Sequence, residues 1–228
     1  MRYRFIIIFL VISNLIFSQM NYNKPTWSVK VNASSLIDIF TFPTVQLSVE
    51  KQLSDYISLS AEGGYQLYNF SHADTSFVNP TGFKANLEFR YYLSKFLTTR
   101  LSNKLGKAYI GLRPFYSQNQ TNTSISYQTP ADPVKWIDDD FGLKNSTYGL
   151  NFILGFQKTI TEKLFVDLHT GLGIMQRTVK NYELQYINGP GYSLAGTELI
   201  KFFKRLNLSE SSGLWGNVLF GFRIGYKL

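Results

Sequence analysis

Two histidines and one acidic run are the places where this chain could do chemistry. His72 lies in "FSHADTS", with Ser71, Asp74 and Ser76 within four residues. A hydroxyl nucleophile, an imidazole base and an orienting carboxylate can make a hydrolase, provided that they converge. Spacing this short does not make them converge. His169 lies in "VDLHTGL", two residues after Asp167 and on the same side of an extended chain, and no serine occupies the next position on that side. Asp138, Asp139 and Asp140, with Asp132 nearby, could offer oxygens to calcium. The run lacks the glycine-turned loop of a dedicated site, and a solvated acidic loop is the better reading. No glycine-rich phosphate loop is present. The expectation is no metal, no cofactor and no catalysis.

The elements that would position these residues begin after an export signal. "MRYRFIIIFLVISNLIFSQ" joins Arg2 and Arg4 to an apolar run from Phe5 to Ile12 and a small Ser18. A basic start, a short apolar centre and a small residue before the cut make a secretory signal over residues 1–18. The run is broken by Ser13 and Asn14 and falls short of the ~20 apolar residues of a spanning helix. Cleavage takes two arginines from a formal charge of +8. The chain has no cysteine, so an exported fold needs no disulfide. Export, and the absence of any like-charge run, argue against a nucleic-acid partner.

Apolar and polar residues then alternate through eight segments. "TWSVKVNAS", "TVQLSVE", "ISLSAEGGYQL" and "GFKANLEFRYYL" fill the first half. "AYIGLRPFY", "YGLNFILGFQ", "LFVDLHTGLGI" and "LFGFRIGYKL" fill the second. About ten residues per segment is what a tilted strand needs to cross a bilayer. A soluble sandwich with one wet face would alternate too. The polar positions here are rich in glycine and carry both signs of charge, as a narrow packed lumen requires. Links after the second and sixth segments are short. Those at 69–81, 118–146 and 177–213 are long. Short turns on the periplasmic side and long outer loops are the outer-membrane pattern.

Two stretches read as short amphipathic helices. "SKFLTTRLSNKLGK", residues 94–107, repeats leucine at 97, 101 and 105 and carries Lys95, Arg100, Lys104 and Lys107 without an acid. It either lies on the inner membrane surface or caps the barrel. "TELIKFFKRLNL" in the last loop either meets a leaflet or partner, or packs on the barrel rim. Pro114 cannot donate in a closed ladder, and a bulge near its strand's upper end would absorb it.

"TYGLNFILGFQKTITEKLFVDLHTGLGI" resembles the central hairpin of a small Bacteroidetes-type outer-membrane β-barrel family, a domain of unknown function. "FRYYL" followed by a helical insert and "AYIGLRPFY" is similar to that family as well. The layout is more distantly OmpA-like, without the peptidoglycan-binding domain, since the chain ends with its strand. The resemblance covers most of residues 25–228 and implies the barrel, not a function.

The expected fold is an all-β, eight-stranded antiparallel transmembrane β-barrel over residues 19–228 of a Gram-negative outer membrane. Its role would be structural or surface-binding. A subunit of a larger assembly and a lipid A-modifying enzyme are the alternatives. Its expected surroundings are outer-membrane lipid and lipopolysaccharide, barrel-assembly machinery during biogenesis, and an outer-membrane protein partner. Phe220, Phe222, Ile224, Tyr226 and Leu228 would face lipid and form the assembly signal. Glu62, Glu88, Arg90, Arg113, Asp167 and Arg223 would face inward and pair, with Asp167 and Arg223 as neighbours, so that the lumen is plugged.

Overall fold

The computed structural model describes residues 26–37, 42–66, 77–93, 106–187, 189–196, 208 and 210–228. Among these the strands are β1 (Trp27–Asn32), β2 (Val45–Gln52), β3 (Ile57–Tyr65), β4 (Phe77–Tyr92), β5 (Lys107–Thr129), β6 (Asp132–Thr159), β7 (Leu164–Tyr182), β8 (Ser193–Leu194) and β9 (Ser211–Lys227). All but β8 pair antiparallel with both neighbours, and the β4–β5 and β9–β1 pairings close the ring. The result is an eight-stranded antiparallel barrel, with β8 added to the outer part of β5.

The register fixes the barrel's width. A row of partners starts at Trp27 and climbs through Lys51, Leu59, Phe89, Leu112, Phe152 and Leu172 to Val218. Carried past its last pair, Asn32 with Arg223, the β1–β9 register would set Val218 level with position 37, ten residues further along the chain than Trp27. Eight strands with this stagger enclose only enough room for side chains.

Alternation decides which face each side chain takes, and the choice is the reverse of a soluble core. Leu59, Leu87, Phe89, Leu112, Leu150, Phe152, Leu168 and Leu172 are exposed on the outer wall. Lys30, Glu50, Glu62, Glu88, Arg90, Asp167 and Arg223 are buried inside it. Trp27, Tyr56 and Tyr226 ring the band at the short-turn end, and Tyr65, Tyr116 and Tyr148 ring it at the other.

Above Tyr116 and Tyr148 the polarity inverts along the same strands. Outward positions become Gln118, Asn122, Ser124 and Ser126 on β5, and Ser146, Lys144, Asp140 and Asp138 on β6. Inward positions become Ile125, Tyr127, Phe141, Leu143 and Val179, which form a buried apolar cluster with Tyr186, Leu194 and Leu208. The segment after β7 lies over this face. Asp139 points inward and accepts the main-chain N–H groups of Gln185 and Tyr186 at 2.8 and 2.9 Å.

The expected loop at 118–146 is therefore corrected: it is a hairpin that continues β5 and β6 and turns at Pro130 and Ala131. The loop expected at 177–213 begins and ends in strand, and its centre contributes β8. Pro114 needs no bulge. The β4–β5 register is unchanged across it, and the pairs opposite Leu87 and Glu88 lapse where the proline has no N–H to give. The two expected helices, at 94–107 and in the last loop, lie outside the described residues except for Gly106, Lys107 and Leu208. So does the expected signal over 1–18.

Candidate functional site

Every strand of the ring places polar side chains inside because each keeps its parity. β1 supplies Lys30, β2 Glu50 and β3 Glu62. β4 supplies Glu88 and Arg90, β5 Arg113 and Tyr109, β7 Asp167 and His169, and β9 Arg223. Four cations thus face four carboxylates in one layer. Burial of any one alone would be costly, so the geometry of pairing carries the site.

The pairing is continuous. Arg223 Nε lies 2.7 Å from Glu62 Oε2, and its other nitrogens reach Glu88 Oε2 at 3.3 Å and Asp167 Oδ2 at 3.7 Å. Arg90 Nε lies 2.6 Å from Glu88 Oε1, and Arg90 Nη1 lies 2.8 Å from Asp167 Oδ2. Arg113 donates to Glu88 Oε2 through two nitrogens. Lys30 Nζ bridges Glu50 at 2.5 Å and Asp167 at 3.1 Å. Hydroxyls complete the carboxylates: Tyr109 donates to Asp167 at 2.6 Å, and Ser58 donates to Glu50. The Tyr92 hydroxyl lies 2.9 Å from Glu50 and 2.8 Å from Gln157 and serves one at a time. The Arg90 guanidinium also stacks on the Tyr109 ring at 4.3 Å.

Glycines make the room that these large groups need. Gly155 stands beside Tyr109, Gly221 beside His169 and Gly225 beside Phe165, each in register on the next strand. A Cβ at any of the three would run into that ring. The lumen is thus filled by large side chains lying across small ones.

The structure brings all six sequence-predicted charges into this one layer. Asp167 and Arg223 are register partners, though their closest charged atoms are 3.7 Å apart and each has a shorter bond elsewhere. Lys30 and Glu50 belong to the same network and were not among the six. Their signal was parity, since both sit on the polar side of their alternating segments. Ile153 and Phe165, apolar but luminal and fully buried, gave no such signal.

The chemistry candidates do not assemble. His72 lies outside the described residues. His169 is buried in the lumen with its Nδ1 3.9 Å from Asp167, and neither ring nitrogen has a hydrogen-bond partner among the described residues. Asp139 points inward while Asp138 and Asp140 point outward, so the three carboxylates cannot meet at one ion. On β9, Phe220, Ile224, Tyr226 and Leu228 are exposed on the outer face and Phe222 is partly so.

A family model described as a protein of unknown function, DUF3575, matches residues 5–193. The chain belongs to the DUF3575 family. Within this DUF3575 chain the matched range contains every charge of the luminal layer except Arg223. No curated protein matches it. Two solved structures are similar over 90% of the chain, both at 12% identity. One is a major outer membrane protein from Thermus thermophilus, with all of that chain covered and a TM-score of 0.40. The other is CarO from Acinetobacter baumannii, with 97% of that chain covered and a TM-score of 0.39.

Proposed function

We propose that the protein is an outer-membrane barrel, sealed at its centre, whose work is structural or surface-binding and is done by the extension that β5, β6 and β7 raise above the barrel. The observation that carries this reading is the inversion of polarity along those strands. β5 has 23 residues and β6 has 28, far beyond the ~9–11 that a crossing needs. Over the crossing length they are apolar outside and polar inside. Beyond it they are polar outside and apolar inside, as a sheet in water must be. The hairpin tip presents Val134, 84% exposed, and Trp136, which support a role in contact with another surface.

The balanced ionic layer supports a plug. Four cations and four carboxylates pair with one another in a lumen sized for side chains, so an ion crossing the barrel would have to break several buried pairs. Planar-bilayer recording of the purified protein should give no steady conductance, and a stable ohmic channel would remove the plug from the reading. Orientation is tested by single cysteines, since the chain has none of its own. A cysteine at Val134 should react with an impermeant maleimide on intact cells, and one at Lys163 should not. Labelling at Lys163 alone would invert the barrel.

A further inference from the structure

We propose that the short-turn end of the lumen is a binding cavity for a small oxyanion, a carboxylate or a phosphate group presented from the water on that side. The proposal rests on the barrel reading above. Below the ionic layer the lumen opens into a cavity of about 230 Å³. Tyr92 and Phe165 form its apolar walls, and Ser28, Gln52, Gln157 and Thr159 line it with polar groups. Lys107 and Lys227 also line it.

The charges at this cavity are unbalanced toward the positive. Among the described lining residues the one side-chain carboxylate, Glu50, is already taken by Lys30 at 2.5 Å and approached by Arg90 at 3.6 Å. Neither Lys107 nor Lys227 has an acid partner among the described residues. Lys107 lies 6.0 Å from the Tyr92 ring centre, and Lys227 reaches only the Thr159 hydroxyl at 3.5 Å. Donors in the wall are also unspent. The Gln157 amide oxygen lies 2.8 Å from the Tyr92 hydroxyl, which it shares with Glu50, and its amide nitrogen has no acceptor among the described residues. The side chains of Ser28 and Gln52, which line the cavity, likewise have no hydrogen-bond partner among the described residues. Two cations and several donors, with Glu50 neutralised, suit an oxyanion and disfavour a cation. The volume admits a ligand of amino-acid size, not a polymer.

Side-chain amide resonances of Gln52 and Gln157 in detergent-solubilised full-length protein provide the test. Titration with inorganic phosphate and, separately, N-acetylalanine should shift them saturably in at least one case, and the uncharged N-acetylalanine amide should not. Saturation by phosphate alone assigns the site to phosphate groups, and by N-acetylalanine alone to carboxylates. In Lys107→Gln/Lys227→Gln the affinity should fall at least tenfold, with each single variant intermediate. These lysines lie at the lumen's mouth, outside the ionic layer, and the retained amide spectrum reports that the variants fold. No saturable shift with either anion, an equal shift with the neutral amide, or an unchanged affinity in the double variant would each overturn the site. Bilayer conductance is read separately, so a failed titration leaves the sealed barrel standing.

Discussion

Asp167 and Arg223 face each other in register on β7 and β9, yet each makes its shorter bond to a different partner. Arg223 reaches Glu62 at 2.7 Å, and Asp167 receives Arg90 at 2.8 Å and the Tyr109 hydroxyl at 2.6 Å. Adjacent strands set the register, but the length of the arginine side chain lets it cross the lumen. The layer is therefore knit across the barrel instead of around its wall.

That arrangement predicts unequal couplings. Double-mutant cycles in urea unfolding should give Glu62→Gln with Arg223→Gln an interaction of about 2–3 kcal/mol, and Asp167→Asn with Arg223→Gln about 1 kcal/mol or less. Each single change should destabilise, because it leaves a buried charge short of a partner. Equal couplings would mean that wall register, not bond geometry, governs the pairing.

Gly221 and His169 predict a steric rescue. Gly221→Ala puts a methyl group into the imidazole that lies over it, at a cost of about 1–3 kcal/mol for an overpacked interior. Replacing the ring as well, in His169→Ser/Gly221→Ala, should recover most of that loss. Heat-modified and unmodified bands on gels after a urea series would report it. A double variant no better than Gly221→Ala alone would show that the glycine serves something other than room for the ring.

The last strand separates its two faces sharply. Ile224 is 42% exposed on the outer wall and Arg223 is 1% exposed in the lumen. Phe222→Asp or Ile224→Asp would put a carboxylate against hydrocarbon, costing up to a few kcal/mol, and should block insertion. Arg223→Gln should insert far better, since the change stays within a polar layer. Membrane fractionation followed by urea extraction would compare them, and similar behaviour in both classes would refute the parity assignment.

Most of the barrel was legible because strand parity is strict. In "GFRIGYK" every second residue from Phe222 is large and apolar, and Arg223 between them has nowhere to go but inward. Lys30 and Glu50 obeyed the same rule in their own segments, so the whole ionic layer was within reach of the sequence. The extension was not. In "QNQTNTSISYQT" the alternation persists, but its sign is inverted and glutamine, asparagine and serine stand where leucine would in a lipid-facing strand, so it resembles a polar loop. Phe165 and Ile153 escaped for a different reason. A lumen crossed by aromatic rings beside glycines has apolar positions that parity alone assigns to the polar face.

The part of β9 beyond the end of β1 yields the final prediction. Main-chain groups alternate along this strand. Lys227 N–H goes to Lys163 on the β7 side, whereas Leu228 N–H goes to Trp27, and Phe222 gives its N–H to the Ser34 hydroxyl and accepts from Ala33 N–H. Even-numbered residues therefore face β1. But β1 ends at Asn32, where the chain turns into the 3-10 turn Ser34–Ile37. Phe220 and Val218 continue upward beyond β1, where the 3-10 turn and not a strand packs against β9, and no hydrogen bond joins their N–H and C=O groups on that side to the described residues. Their side chains are among the most exposed apolar groups on the wall. An unpaired peptide group in dry hydrocarbon costs several kcal/mol, and we predict that water reaches this notch. Amide hydrogen exchange in bicelles should then be fast at Val218 and Phe220 and slow at Leu219 and Gly221, which pair with β7. Equal protection at all four would mean that residues 33–37 continue β1 as a strand in the membrane and close the wall.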